Sequence, residues 1–242
     1  MSKMESLPEI NNEFKYRAVV FDLDGTLYNQ TKLRLNMAMR LGVYYCSHFW
    51  KIKELFVLKY FREVRDKWEE VSSVPGDGDL DSSVNYDGAS TEGSTDNSEV
   101  GLKGCNLDDA QYAYVARKKG VNSAYVERVV KKWIYDNPLD LLIKCRNESL
   151  YSYILDLKSA GIPVIIFSDY PISDKIAALQ IVPDGMYCPG DERNIELKPS
   201  PMGLEMILTD LGLHNSEILM VGDREVKDGE AARRANVDYV IV

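Results

Sequence analysis

The stretch Phe21-Asp22-Leu23-Asp24-Gly25-Thr26-Leu27 limits what this chain can become more than any other. It follows Tyr16-Arg17-Ala18-Val19-Val20, a short β-branched and apolar run that reads as a strand buried on both faces. Asp22 and Asp24 stand two apart in extended chain, so both carboxyl groups point to one side. Gly25 permits a sharp turn, and the carboxyl end of a strand is where an open α/β sheet binds ligands. Two carboxylates this close repel unless a cation lies between them or one keeps its proton. Asp-x-Asp-Gly alone also makes a common turn, so the rest of the chain has to supply partners for it.

Residues 1–14 read as a polar, loosely held leader. Beyond the first strand, Leu33, Met37, Leu41, Tyr44 and Tyr45 share one helical face, and Ile52, Phe56, Tyr60, Val64 and Trp68 recur every fourth position. Two helices, or one bent one, are expected, with the aromatic stripe packed against another helix. Residues 71–104 are dominated by Ser, Gly, Asp and Asn, too poor in large apolar groups to offset the entropy of ordering them. Asp77-Gly78-Asp79-Leu80-Asp81 resembles the start of a calcium loop, but Ser82 and Gly88 stand where glycine and a bidentate glutamate are needed. A flexible acidic loop at about 72–104 is the expectation.

Helical patterning resumes at Leu107, Ala110, Tyr114 and Val115, and again from Tyr125 to Ile134, ending at Asn137-Pro138. Asn147 caps a further helix that stops at Gly161. From there the chain alternates strand and helix. Ile162 to Phe167, Gly185 to Cys188, Ile218 to Val221 and Tyr239 to Val242 are the strands. Such alternation predicts an α/β fold, a parallel sheet flanked by helices.

Three later positions place polar groups beside strand ends or helix starts. Ser168 follows Ile165-Ile166-Phe167, Lys198 precedes the helix opened by Ser200-Pro201, and Gly222-Asp223 follows the strand at 218–221, with Asp228 five residues on. Parallel, adjacent strands would gather these groups over the end that carries Asp22 and Asp24. In this order the four signals resemble the four motifs of the haloacid dehalogenase superfamily of phosphotransferases, over residues 17–28 and about 148–242. The resemblance implies a Rossmann-like core at 1–29 and 147–242, with an all-helical cap inserted at 30–146. It further implies Asp22 as nucleophile, Asp24 as general acid and base, and Ser168 and Lys198 as phosphoryl-binding groups. Mg2+ would be held by Asp22, the Asp24 carbonyl and Asp223, with Asp228 acting from behind them. Dehalogenases of the superfamily lack the second aspartate, since a halide leaves without a proton. Asp24 therefore favours a phosphatase acting on a small phosphorylated metabolite.

Charge narrows the partners. The net charge of -9 argues against nonspecific nucleic-acid binding. It is unevenly spread, with nine Lys/Arg against five Asp/Glu in residues 27–70, and one against seven in residues 71–104. No apolar run reaches the ~18 to 20 residues of a membrane span and no secretory core follows Met1, so a cytoplasmic protein is expected. Cys46, Cys105, Cys145 and Cys188 lack metal-ligand spacing and read as buried free thiols. A phosphomutase, a phosphonate hydrolase using an imine-forming cap lysine, and a noncatalytic binding protein on the same fold remain open alternatives.

Overall fold

The computed structural model describes residues 3–11, 13–68, 107–189 and 195–242. The acidic segment at 71–104 and Cys105 lie outside the described residues. Two compact units divide the chain, one formed by Met1–Ile52 with Lys131–Val242, the other by Lys53–Val130.

The first unit is built on a parallel sheet of β1 (Lys3–Met4), β2 (Ala18–Phe21), β3 (Val164–Phe167), β4 (Gly185–Tyr187), β5 (Ile218–Gly222) and β6 (Asp238–Ile241). Their spatial order is β1-β6-β5-β2-β3-β4. Every residue of β2, β3 and β5 is buried, which is why these strands read as continuous apolar runs and not as alternating ones. On one face Ala18, Val20, Ile165, Phe167 and Met220 pack with Leu204, Ile207 and Ala231. From the other, Phe21 meets the Tyr153 ring edge-on at 6.5 Å.

The N-terminal leader is not wholly loose. Lys3 and Met4 pair with Tyr239 and Val240, covering the open edge of β6. Two side-chain contacts hold them there. Lys3 Nζ donates to Glu225 at 2.7 Å, and Tyr16 Oη lies 3.1 Å from Met4 Sδ. Period-2 patterning has no purchase on a strand of two residues, so the element was invisible to it.

Helix α1 (Gln30–Ser47) also belongs to this unit, as does the segment after residue 130. The compact units thus divide at 52/53 and 130/131, whereas the sequence boundaries stand at 29/30 and 146/147. At the sequence boundaries the outgoing and returning chain run side by side. Asn29 N donates to Cys145 O at 2.8 Å, Asn147 N to Leu27 O at 2.9 Å, and Tyr28 and Arg146 form an antiparallel bridge. Asn29 and Asn147 each cap the helix that follows, accepting from Lys32 N and Leu150 N. Cys145 is buried as expected, but Cys46 is exposed on the last turn of α1.

The second unit is helical among its described residues, with α2 (Lys53–Asp66), α3 (Leu107–Lys119) and α4 (Ser123–Val130). Its packing corrects the expected stripe. Ile52 and Phe56 are exposed, and the buried face of α2 carries Val57, Leu58, Phe61 and Val64. Arg65 is buried as well, donating to Asp108 at 2.5 Å and Gln111 at 2.9 Å. Phe61 stacks on Tyr112 with centroids 5.6 Å apart. A spacing of strictly four drifts around a helix of 3.6 residues per turn, so counting by fours selected the wrong edge.

This assignment is testable by urea unfolding. Phe61→Ala is expected to cost about 3 to 5 kcal/mol, as for other buried aromatic truncations, and Phe56→Ala no more than about 0.5. Equal costs would mean that the buried face is misplaced.

Candidate active site

Strand register brings the site together. Phe21 lies opposite Val221 on one side and Ile166 on the other. The residues that leave β2, β3 and β5 therefore emerge at one edge of the sheet, and these are Asp22, Ser168 and Asp223. Asp22 N donates to Val221 O at 2.8 Å, continuing the ladder one residue past the strand. The chain then turns, with Leu27 N bonded to Leu23 O at 3.1 Å. Gly25 sits at φ +112, and a Cβ there would lie 2.2 Å from Asp223 Oδ2. Glycine is needed at this point both for its backbone conformation and to let Asp223 approach.

One hydrogen-bonded group forms around Lys198. Its Nζ lies 2.5 Å from Asp22 Oδ1, 2.7 Å from Asp228 Oδ1 and 3.4 Å from Phe167 O. Lys198 is buried, and its backbone N donates to Asp169 at 2.8 Å. The other oxygen of Asp22 accepts from Thr26 Oγ1 at 2.9 Å, and that of Asp228 from Arg224 N at 3.0 Å. Asp228 sits directly against Gly222, where an added Cβ would come within 2.3 Å of the Asp228 Cβ. The glycine before Asp223 is thus the gap that admits Asp228.

A second group surrounds Asp24. Its Oδ1 accepts from Lys175 Nζ at 2.5 Å and from the Tyr28 hydroxyl, and its Oδ2 lies 3.0 Å from Ser168 Oγ. Ser168 Oγ in turn accepts from Tyr170 N at 3.1 Å. All six positions singled out in the sequence, Asp22, Asp24, Ser168, Lys198, Asp223 and Asp228, therefore meet at this edge. Thr26, Tyr28 and Lys175 were missed. Thr26 and Tyr28 stand four residues after Asp22 and Asp24, one helical turn on. Lys175 shares a buried helical face with Ile172, Ile176 and Leu179, where a lysine is out of place unless it has a partner.

Electrostatics separate the two aspartates. Burial pushes the Asp22 carboxyl up to about 7, with Asp228 and Asp24 adding to the effect and Lys198 opposing it. Burial acts on Asp24 in the same sense, but the Lys175 charge and the bonds from Lys175, Tyr28 and Ser168 outweigh it and hold the carboxyl below its ordinary value. Lys198 stays cationic: burial works against its charge, and Asp22, Asp228 and Asp169 overcome it. Burial and then Asp228 raise Asp223. Of the two, Asp24 is the one its neighbours hold ionised in the free site, able to accept a proton.

The same residues fit a divalent cation. Oxygens of Asp22, Asp223 and Asp228 all lie within 4.8 Å of one another. Asp223 Oδ1 is buried and has no hydrogen-bond partner among the described residues. An unpaired buried acceptor costs about 1 to 3 kcal/mol, more when charged. Hard carboxylate oxygens around one point are the donors that Mg2+ or Ca2+ prefers. Beside Asp223 and Gly25 opens a cleft of about 640 Å³, also lined by Asn29, Lys32 and Arg146.

Residues 16–236 match the family model of haloacid dehalogenase-like hydrolases. No curated protein matches the sequence. Several solved structures share the fold. The L-2-haloacid dehalogenase of Xanthobacter autotrophicus is 14% identical, covering 94% of this chain and 77% of its own, with a TM-score of 0.57. The magnesium-bound hydrolase-family protein YfnB of Bacillus subtilis is 11% identical over 94% of this chain and 89% of its own, with a TM-score of 0.54. A predicted phosphoglycolate phosphatase of Haemophilus somnus 129pt is 17% identical over 95% and 86%, with a TM-score of 0.52. At these identities the likeness is one of fold.

Buried acids with raised folded pKa values give the metal-free site a definite pH dependence. The folded state binds the Asp22 proton more tightly than the unfolded chain, whose carboxyl titrates near 4. That contribution is fully present below pH ~4 and is lost as pH rises through about 7. In chelator-treated protein, Asp22→Asn is therefore expected to raise the melting temperature at pH 8 and to change it little at pH 4.5. A divalent cation should stabilise the wild type more at pH 8 than at pH 4.5. Calorimetry showing the opposite order would contradict the assignment of Asp22 and Asp223 as a cation-seeking pair.

Proposed function

This chain belongs to the haloacid dehalogenase-like hydrolase family, and on that premise we propose that it is a Mg2+-dependent phosphatase that hydrolyses a small phosphorylated metabolite through an aspartyl-phosphate on Asp22. The observation that carries this reading is Asp24, a carboxylate two residues beyond the nucleophile with Ser168 3.0 Å from one of its oxygens. Dehalogenation gives a second carboxylate nothing to do, because halide departs without a proton. An alkoxide leaving a phosphate monoester needs one.

In the first step a carboxylate oxygen of Asp22 attacks phosphorus. The P–O ester bond breaks, and the departing oxygen takes the bonding pair and a proton that Asp24, ionised in the free site, has first taken from the monoanionic phosphate ester or from solvent. In the second step water attacks the same phosphorus and gives its proton to Asp24, while the Asp22–P bond pair returns to the carboxylate. Thr26 orients the nucleophile through Oδ2, leaving its other oxygen in the charge field of Lys198. Lys198 and Ser168 supply donors for phosphoryl oxygens, and a phosphoryl group drawing Ser168 away from Asp24 would free that oxygen for proton transfer. Asp22, Asp223 and the Asp24 carbonyl would hold Mg2+, which when bound neutralises charge on the phosphoryl group.

Magnitude favours this division of labour. Proton transfer contributes ~10²- to 10⁴-fold, whereas monoester hydrolysis can require up to ~10²¹. Cations and positioned donors have to supply most of the difference. Phosphonate hydrolysis would call for a buried amine in the inserted helices. Among the described residues the buried lysines are Lys175 and Lys198, both in the sheet-bearing unit. A net charge of -9 suits a small substrate captured by local cations and disfavours a nucleic-acid one.

Assaying the protein against phosphorylated sugars, nucleotides and small acids, and against 2-haloacids, with and without Mg2+, tests the reading. Phosphate release that requires Mg2+ is expected, with no halide release, and Asp22→Asn should reduce turnover to background. Halide release without metal, or more than a tenth of wild-type activity in Asp22→Asn, would sink it.

A further inference from the structure

Lys175 is a buried ammonium that the reaction above does not use. It lies in α7, the helix Ser173–Leu179 (α5 being Leu139–Cys145 and α6 Glu148–Ser159). That helix follows the loop carrying Ser168, so Lys175 reaches Asp24 from the β3 side while Tyr28 reaches it from the turn after β2. Both end on the same oxygen, Oδ1. The other oxygen, Oδ2, faces Ser168 at 3.0 Å.

These contacts are not equivalent. An ammonium has three donors and no acceptor, so the oxygen it touches can only accept. A serine hydroxyl can donate or accept, and this one can turn toward an incoming phosphoryl oxygen. From this asymmetry we infer that Lys175 is a positioning residue for proton transfer. With Tyr28 it pins Oδ1 and fixes the plane of the Asp24 carboxyl, so that Oδ2 alone exchanges protons with the leaving oxygen and then with water. The inference rests on the phosphatase reading. It adds that the acid and base work of both half-reactions is confined to one carboxylate oxygen, and that α7 enforces this. Lys198 does not take this place, because its Nζ contacts Asp22 and Asp228 and not Asp24.

A lysine that merely fills space or holds the fold would affect every substrate alike. One that aims a proton donor should matter in proportion to how badly the leaving oxygen needs the proton. The test compares two esters of similar shape, 4-nitrophenyl phosphate and phenyl phosphate, in Mg2+ buffer. It uses kcat/KM, which covers the steps up to departure of the leaving group. Lys175→Met keeps the length of the apolar stem without the donor. It is expected to lower kcat/KM for phenyl phosphate about 100-fold, within the range of general acid catalysis, and for 4-nitrophenyl phosphate less than about tenfold. Tyr28→Phe should show the same bias with a smaller loss, and it reports on the same oxygen if Lys175→Met folds poorly by circular dichroism. Equal losses on both esters in these variants, or no loss in either, overturn the inference while the phosphatase reading stands. A wild-type protein that hydrolyses neither ester, yet releases halide from a 2-haloacid, removes that reading and this inference with it.

Discussion

The ammonium of Lys198 between Asp22 and Asp228 is the interaction on which the rest of the site depends. Three acids, two of them buried and Asp223 half-buried, bring oxygens within 4.8 Å of one another, and without a cation their mutual repulsion and desolvation would push the loops apart. Lys198 supplies one positive charge and uses its backbone as well, taking Asp169 on its amide and Lys227 on its carbonyl. It thereby ties the loop after β4 to the ends of β2, β3 and β5. A single charge against Asp22, Asp228 and Asp223 still leaves an anionic site. The unpartnered Asp223 oxygen is where that deficit shows.

Much of this was legible in the sequence because strand-end chemistry is positional. Once Val19, Ile165 and Leu219 are recognised as interior strand residues, parallel pairing fixes which end Asp22, Ser168 and Asp223 share, and no contact need be known. The same logic failed for Lys175. Its position on an apolar helical face was readable, but which of several acids it would meet depends on how α7 packs, and periodicity says nothing about that. Tyr28 and Thr26 were closer to hand. Each stands one turn after the aspartate it serves, a spacing that an argument from strand ends does not use.

The helical insertion was less transparent. Apolar residues every fourth position describe two possible faces, and only packing against α3 and α4 decides between Phe56 and Phe61. A buried arginine such as Arg65 defeats hydropathy altogether, since its burial is made possible by Asp108, more than forty residues away. Edge strand β1 failed for a different reason. Two residues have no period, and their order comes from β6 and from Tyr16.

Tyr28 joins two features that otherwise look separate. Its backbone bridges to Arg146 at the neck where the chain leaves for α1 and returns to α6, and its hydroxyl rests on Asp24. Thr26, which orients Asp22, is tied to the same neck by Asn147 through its carbonyl. The neck is therefore bonded to both aspartates, with one tyrosine standing between it and Asp24 and one threonine between it and Asp22.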